Sequence, residues 1–155
     1  MHDPGGLIMN TLTIFGAGEP ILTRYRLARE RGVLQFPSPA VEDGRWADDT
    51  LVRGLTVSLT LIKSVTGVEE ALAKIDHHAF SLGLAALVEI AFVGSKLDPK
   101  IPVVGLLTTF THQRLKGNDT YSPMLFTGNG GRGIGAFRWK AKLQPGMMVA
   151  SVMLA

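Results

Sequence analysis

The sequence predicts an α+β domain, a mainly antiparallel β-sheet packed against one or two helices and preceded by a flexible N-terminal arm. Three observations predict it. Leu55-Thr56-Val57-Ser58-Leu59-Thr60-Leu61 alternates apolar and hydroxyl side chains, the period of a strand with one buried face. Val68, Ala71, Leu72 and Ile75 recur at helical spacing just after it. Several short apolar runs separated by turn residues then follow, and strands in series beside a helix make an α+β layer. The expected division is an arm over 1–49 and a globular body over 50–155.

The arm is rich in breakers: Pro4, Gly5, Gly6, Gly16, Gly18, Pro20, Pro37 and Pro39. They interrupt sustained periodicity, leaving Pro20 to Arg31 as the one helical stretch. After the first strand, Thr66 and Glu69 have the spacing of a capping box. Glu70 and Lys74 form an i,i+4 pair off the apolar stripe, a favourable arrangement on a helix. Leu87 to Val93 reads as a second, more buried strand. Lys96 to Lys100 reads as a loop, and Ile101 to Leu107 as an apolar run containing Pro102 and Gly105. Thr108 to His112 and Thr120 to Leu125 read as extended, with a turn between. Gly128 to Gly135 reads as a flexible hairpin connection, Ala136 to Leu143 as a strand, and Met147 to Leu154 as the final strand.

The chain has 155 residues, enough for one domain. It contains no cysteine, which removes disulfide scaffolds, cysteine zinc sites and thiol nucleophiles. The longest apolar run, Leu82 to Gly94, is interrupted by Gly83 and Glu89 and falls short of a membrane-spanning helix. The first twenty residues lack the basic n-region of a signal peptide. Residues 1–50 carry seven acidic and five basic side chains, net −2, and residues 51–155 carry six and eleven, net +5. A basic body fits phosphate-bearing partners, nucleic acid or anionic lipid, or serves solubility alone.

Two cationic groups stand out. Arg24, Arg26, Arg29 and Arg31 face only Glu30 among their neighbours in sequence. Against an anionic bilayer each cation contributes on the order of 1 kcal/mol; without one the segment is simply solvated. Arg138, Lys140 and Lys142 would share one face of a strand, roughly 7 Å apart, with Arg132 extending the patch. That is either a phosphate-binding stripe or the wet face of an antiparallel sheet. Asp76, His77, His78 and His112 lack a metal-ligand spacing, so a histidine-dependent enzyme is the weakest reading. Gly16-Ala17-Gly18 is followed by Pro20 and Ile21 where a dinucleotide fingerprint has its third glycine. Ile101 to Leu107 is either core or, given Pro102 and Gly105, an exposed apolar loop.

From Val41 to about Ala150 the order and spacing of several segments resemble the vesiculovirus-type rhabdovirus matrix protein. The segments are Val41-Glu42-Asp43, Thr56 to Leu61, Val68 to Leu72 running to Asp76-His77, Ile90 to Ser95 with Leu97, Pro102 to Leu106, Ser122-Pro123-Met124-Leu125, and Ile134-Gly135. The resemblance implies a non-enzymatic viral structural protein. Such a protein self-associates, condenses the nucleocapsid and links it to the inner membrane leaflet for assembly and budding. It implies residence in the virion, the host cytoplasm and the inner face of host membranes, with no cofactor and no small-molecule substrate. It places Pro102, Val103, Val104, Gly105 and Leu106 as an exposed self-association loop, a head-to-tail contact that propagates into filaments or sheets. Arg24, Arg26, Arg29, Arg31, Arg132, Arg138, Lys140 and Lys142 become candidates for membrane or nucleocapsid binding. The sequence departs from the family in lacking a PPxY or P-[ST]-A-P motif and a lysine-rich amino terminus. Gly44 and Arg45 stand where the host-shutoff methionine would be. The competing reading is a basic nucleic-acid-binding module of non-viral origin.

Overall fold

The computed structural model describes residues 11–16, 18–46, 54–76, 79–93, 101–114, 117–129 and 131–153. The strands are β1 (Thr11–Ile14), β2 (Leu55–Leu61), β3 (Ala79–Ser81), β4 (Val103–Val104), β5 (Phe110–Arg114), β6 (Gly117–Gly128), β7 (Gly131–Arg138) and β8 (Met148–Met153). The helices are α1 (Ile21–Glu30), the single turn α2 (Pro39–Glu42), α3 (Val68–Asp76) and α4 (Leu84–Val93), and a 3-10 turn covers Trp139–Ala141.

The eight strands form one mixed sheet in the order β1-β2-β8-β4-β6-β5, with β3 also on β8 and β7 on β6. The pairings are antiparallel except that of β4 with β8. Helices cover both faces. Beneath α1 and α4 lie Ile14, Val57, Leu59, Val103, Leu125, Ile134 and Met148. On the opposite face Val68 and Ala71 of α3 pack with Val104, Leu106, Phe137, Leu143 and Val149. Neighbours in sequence such as Val103 and Val104 thus enter different cores, as the two-residue repeat of a strand requires. The α+β class and the alternation of β2 are as the sequence predicts.

The first correction concerns the arm. Its described part, from Thr11 to Trp46, is built into the domain: β1 pairs with β2, and Ile14, Tyr25 and Leu34 are fully buried. The breakers punctuate elements rather than dissolve them. Pro20 precedes α1, and Pro39 opens α2. Gly32, at φ 71°, ends α1, with its N–H donating to the Arg29 carbonyl at 3.2 Å and the Val33 N–H to Ala28 at 2.9 Å. This left-handed closure is one that glycine adopts without steric cost. Tyr25 ties the two helices together: its hydroxyl accepts from the Ser38 N–H at 2.7 Å and donates to Glu42 at 2.8 Å. Burial raises its pKa; the Ser38 donor opposes that shift and the Glu42 bond adds to it.

The second correction is that Leu87 to Val93 is helical. Every residue from Leu84 to Ala91 is buried, Glu89 included. A run that is apolar all round carries no periodicity, so a buried strand and a buried helix read alike. The helix starts where chain and sheet touch: Leu84 N–H donates to Thr108 Oγ1 at 2.9 Å. Gly83 is obligatory there, since a Cβ would lie 2.9 Å from the Thr108 backbone nitrogen.

The capping box does not form. Thr66 makes an isolated bridge with Leu143 and its hydroxyl donates to the Ser64 carbonyl at 2.7 Å, while α3 begins at Val68. The Glu70–Lys74 pair is present at 3.6 Å between exposed side chains. Gly131 to Gly135 belongs to β7 rather than to a flexible loop, although the hairpin connection itself is where the sequence places it. The loop expected over Lys96 to Lys100 and the pair His77-His78 lie outside the described residues, as does the side chain of His112.

Candidate anion-binding surface

The expected self-association loop is a central strand with its turn. Val103 is 1% exposed, Val104 0% and Leu106 2%. Val103 stands between Met148 and Leu125, and Val104 between Val149 and Met124. Pro102 fits because its carbonyl, not a missing N–H, makes the sheet bond, accepting from Met148 at 2.9 Å. Gly105, also buried, donates to the Pro123 carbonyl at 3.0 Å. Only Leu107, 60% exposed, projects from the run. The exposed-loop reading is therefore overturned: Val103, Val104, Gly105 and Leu106 are buried, and Pro102 before them is partly buried.

The expected cationic stripe is also rearranged. The strand ends at Arg138, and Trp139 is tacked to β6 by its indole N–H, which donates to Ser122 Oγ at 2.8 Å. Arg138 and Lys140 then converge on Asp119, at 3.1 and 3.2 Å. Burial pushes the Asp119 carboxyl up, but the two cations outweigh it and hold it below the ordinary carboxylate range. Lys142 stands apart in the left-handed region at φ 57° and is exposed. Two of the three charges are thus spent inside the protein. A carboxyl with a depressed folded-state pKa contributes stability above its unfolded pKa and loses it as pH falls through the folded one. Asp119→Asn should therefore be less stable than wild type at neutral pH. The gap should close as pH falls through the depressed folded-state value, as followed by urea melts across pH; a gap that stays constant with pH would refute the assignment.

The four arginines of α1 and its C-cap part company. Arg24 turns inward and grips Glu89 of α4 with two bonds, Nε–Oε2 at 2.7 Å and Nη2–Oε1 at 2.8 Å. It also lies 4.4 Å from the Phe92 ring centre. Hydrogen bonding to Glu89 raises its pKa above the ordinary arginine value. The depression around this pair, lined by Gly16, Glu19, Ile21, Val88 and Glu89, encloses only about 10 Å³, room for one water. Arg24 is a strut between helices, not a membrane contact. Arg26 is exposed on the outer face of α1.

Arg29, Arg31 and Arg132 are brought to one end of the molecule by a segment the sequence reading passed over. Gln35 and Phe36 both donate their N–H groups to the Arg132 carbonyl, at 2.9 and 3.1 Å. The Gln35 side chain accepts from the Arg132 N–H at 2.6 Å and donates to the Gly32 carbonyl. Arg29 braces the turn from the other side by donating to the carbonyls of Leu34, at 3.1 Å, and Gln35. The C-terminus of α1 is thereby clamped to the start of β7. Arg31 is exposed there, and Arg132 is partly buried. Among the described residues no carboxylate pairs with Arg132, and burial pushes its guanidinium below the ordinary arginine value, where it still carries its charge. A cation that has lost water without gaining an acid partner favours an incoming anion.

Beside this end lie Phe36 and Phe126, their rings parallel within 7° and 6.0 Å apart. Neither belongs to the two hydrophobic cores or to the shells packed on them. The rings cover β7 where it is bare: a Cβ at Gly133 would lie 3.0 Å from Phe36 Cβ and 3.1 Å from Phe126 Cε1. Glycine at 131, 133 and 135, every second residue of a strand, strips one face of side chains and leaves space for rings from elsewhere. That spacing was the signal available in the sequence.

Among the described residues no three His, Asp or Glu side chains are grouped as metal ligands, and no helix is long and apolar enough to cross a membrane. No protein-family model, curated protein or solved structure matches the chain.

Proposed function

We propose that the protein is a matrix-type structural protein that holds a phosphate-bearing partner, the nucleocapsid or an anionic membrane leaflet, against the end formed by Arg29, Arg31 and Arg132. The matrix reading is supported by the ordered resemblance from Val41 to Ala150. The single observation that carries the binding surface is the Gln35 clamp, which joins the end of α1, with Arg29 and the following Arg31, to Arg132 of β7, a cation with no carboxylate partner among the described residues. The protein works by assembly and contact, in the virion and at the inner face of host membranes, not by turnover of a small molecule. Copies join through a surface other than Pro102 to Leu106.

Co-sedimentation tests this. Wild-type protein should bind anionic vesicles or RNA at low salt, release them as salt rises, and form polymers as salt is lowered. Arg31→Gln with Arg132→Gln is the cleaner variant, because Arg29 also braces the turn. The pair should weaken binding at least tenfold and lower the slope of log K against log salt by roughly one to two. Wild-type protein that stays monomeric at low salt and binds neither partner would end the reading.

A further inference from the structure

We infer that the outer edge of β1, around Thr13, is the surface through which two copies of the chain join, antiparallel and edge to edge, so that one sheet runs on into the other. The inference rests on the matrix-type reading above, which requires self-association, and supplies the surface that Pro102 to Leu106 does not.

β1 ends the sheet, with β2 as its neighbour among the described strands. The ladder fixes which of its peptide groups are used. Ile62 N–H donates to the Met147 carbonyl at 2.8 Å. Counting back along the β2–β8 register, the peptide groups of Thr60 and Ser58 face β8, and those of Leu59, Val57 and Leu55 face β1. Leu12 and Ile14, opposite Val57 and Leu55, therefore bond to β2, and the N–H and C=O of Thr13 point outward. Among the described residues nothing bonds to them, and Thr13 is exposed. Leu12 and Ile14 enter the core beneath α1 and α4, so Thr13 lies on the other face, as does Phe15, which is 70% exposed. Open edges in natural sheets are blunted by charge, proline or a bulge. Here Thr11 to Gly18 and Gly54 to Ile62 contain no charged residue and no proline, and the β1–β2 register is unbroken. Shortness alone limits the edge, which suits a reversible contact rather than a permanent one.

Two features select a second copy as the occupant. An antiparallel edge is its own complement: a two-fold axis at Thr13 brings each N–H to the other copy's C=O and sets Phe15 across from Thr11 of the second copy. Each copy also carries a net charge of +3, so copies meet with least repulsion where neither presents a cation. A phosphate-bearing partner has nothing to hold there.

The test is analytical sedimentation of the full chain in high salt, where contacts to phosphate and salt-dependent polymers are suppressed. Wild-type protein should pass reversibly from monomer to dimer as its concentration rises through the micromolar range. Thr13→Lys places on the edge the charge that open strands usually carry, and should raise the dimer dissociation constant at least tenfold. Thr13→Pro removes the outward N–H, which makes no bond within the chain, and should act likewise. Thr60→Lys, on the same wet face but with its peptide groups bonded to β8, should dimerise as wild type does. Amide exchange needs no variant: the Thr13 N–H should exchange more slowly as concentration rises, while the rate at Thr60 stays constant. Wild type that is monomeric throughout, folded Thr13 variants that dimerise unchanged, or a Thr13 amide indifferent to concentration overturns the inference. If such a protein still polymerises at low salt and binds anionic partners, the matrix reading stands without this surface. A Thr13-dependent dimer that binds neither vesicles nor RNA keeps the edge contact and removes the matrix reading.

Discussion

Val103→Asp with Val104→Asp should abolish the fold itself, not merely the capacity to assemble. The two side chains enter opposite cores and are essentially without solvent contact. Each aspartate would have to shed its hydration or its charge inside apolar surroundings. Two such penalties in the centre of a sheet consume the whole of a domain's usual stability, about 5–15 kcal/mol. Far-UV circular dichroism and protease sensitivity should report an unfolded chain. The milder Val104→Ala should fold but lose roughly 2 kcal/mol or more from the cavity it leaves. A folded, monomeric double aspartate variant of a protein that otherwise polymerises would restore the exposed-loop reading and refute the packing described here.

Arg24→Ala should be the most damaging single change in α1. Glu89 has a side chain only 9% exposed, and the two bonds from Arg24 are its partners from that helix. Removing one member of a buried pair leaves the other uncompensated, at a cost of about 3–5 kcal/mol. For a chain of this length that corresponds to a fall in melting temperature of roughly 10 °C. Arg24→Met combined with Glu89→Leu should recover much of the loss, because an apolar pair of similar volume has no charge to strand. Urea unfolding of wild type, Arg24→Met, Glu89→Leu and the double variant gives the coupling directly. An Arg24→Ala variant within 1 kcal/mol of wild type would show that the arginine is a surface charge after all. Arg26→Ala, on the exposed face, is the matched control.

The sheet was legible wherever one face is wet. In β2 the hydroxyls of Thr56, Ser58 and Thr60 mark the alternate face, and β8 is set off by turn residues. Legibility failed where burial is complete on all sides. In Leu84 to Ala91 nothing polar except Glu89 breaks the run, so the sequence carries length and composition but no phase. It failed again where tertiary contacts choose among local options: Thr66 has the spacing of a cap yet is drawn into a bridge with Leu143. The candidate surface was half legible. Arg29, Arg31 and Arg132 could be picked by charge. Their meeting depends on Gln35, an uncharged residue nearly a hundred positions from its partner, which no local pattern signals. Asp119 illustrates the reverse case. A single acid in a turn-like stretch quenches two cations that the alternation of Arg138, Lys140 and Lys142 had made conspicuous.

One feature of the topology constrains how the protein is made. β8 comes after the other seven strands in the chain, yet it lies between β2 on one side and β3 with β4 on the other. During synthesis the hairpin of β6 and β7 can close as soon as it emerges, but β1 and β2 cannot join it until β8 has left the ribosome. The nascent chain must therefore wait with two open edges, and the last step closes a loop of nearly ninety residues from β2 to β8, an entropic cost that slows folding. Chaperone protection of those edges should matter more for this protein than its modest size would imply.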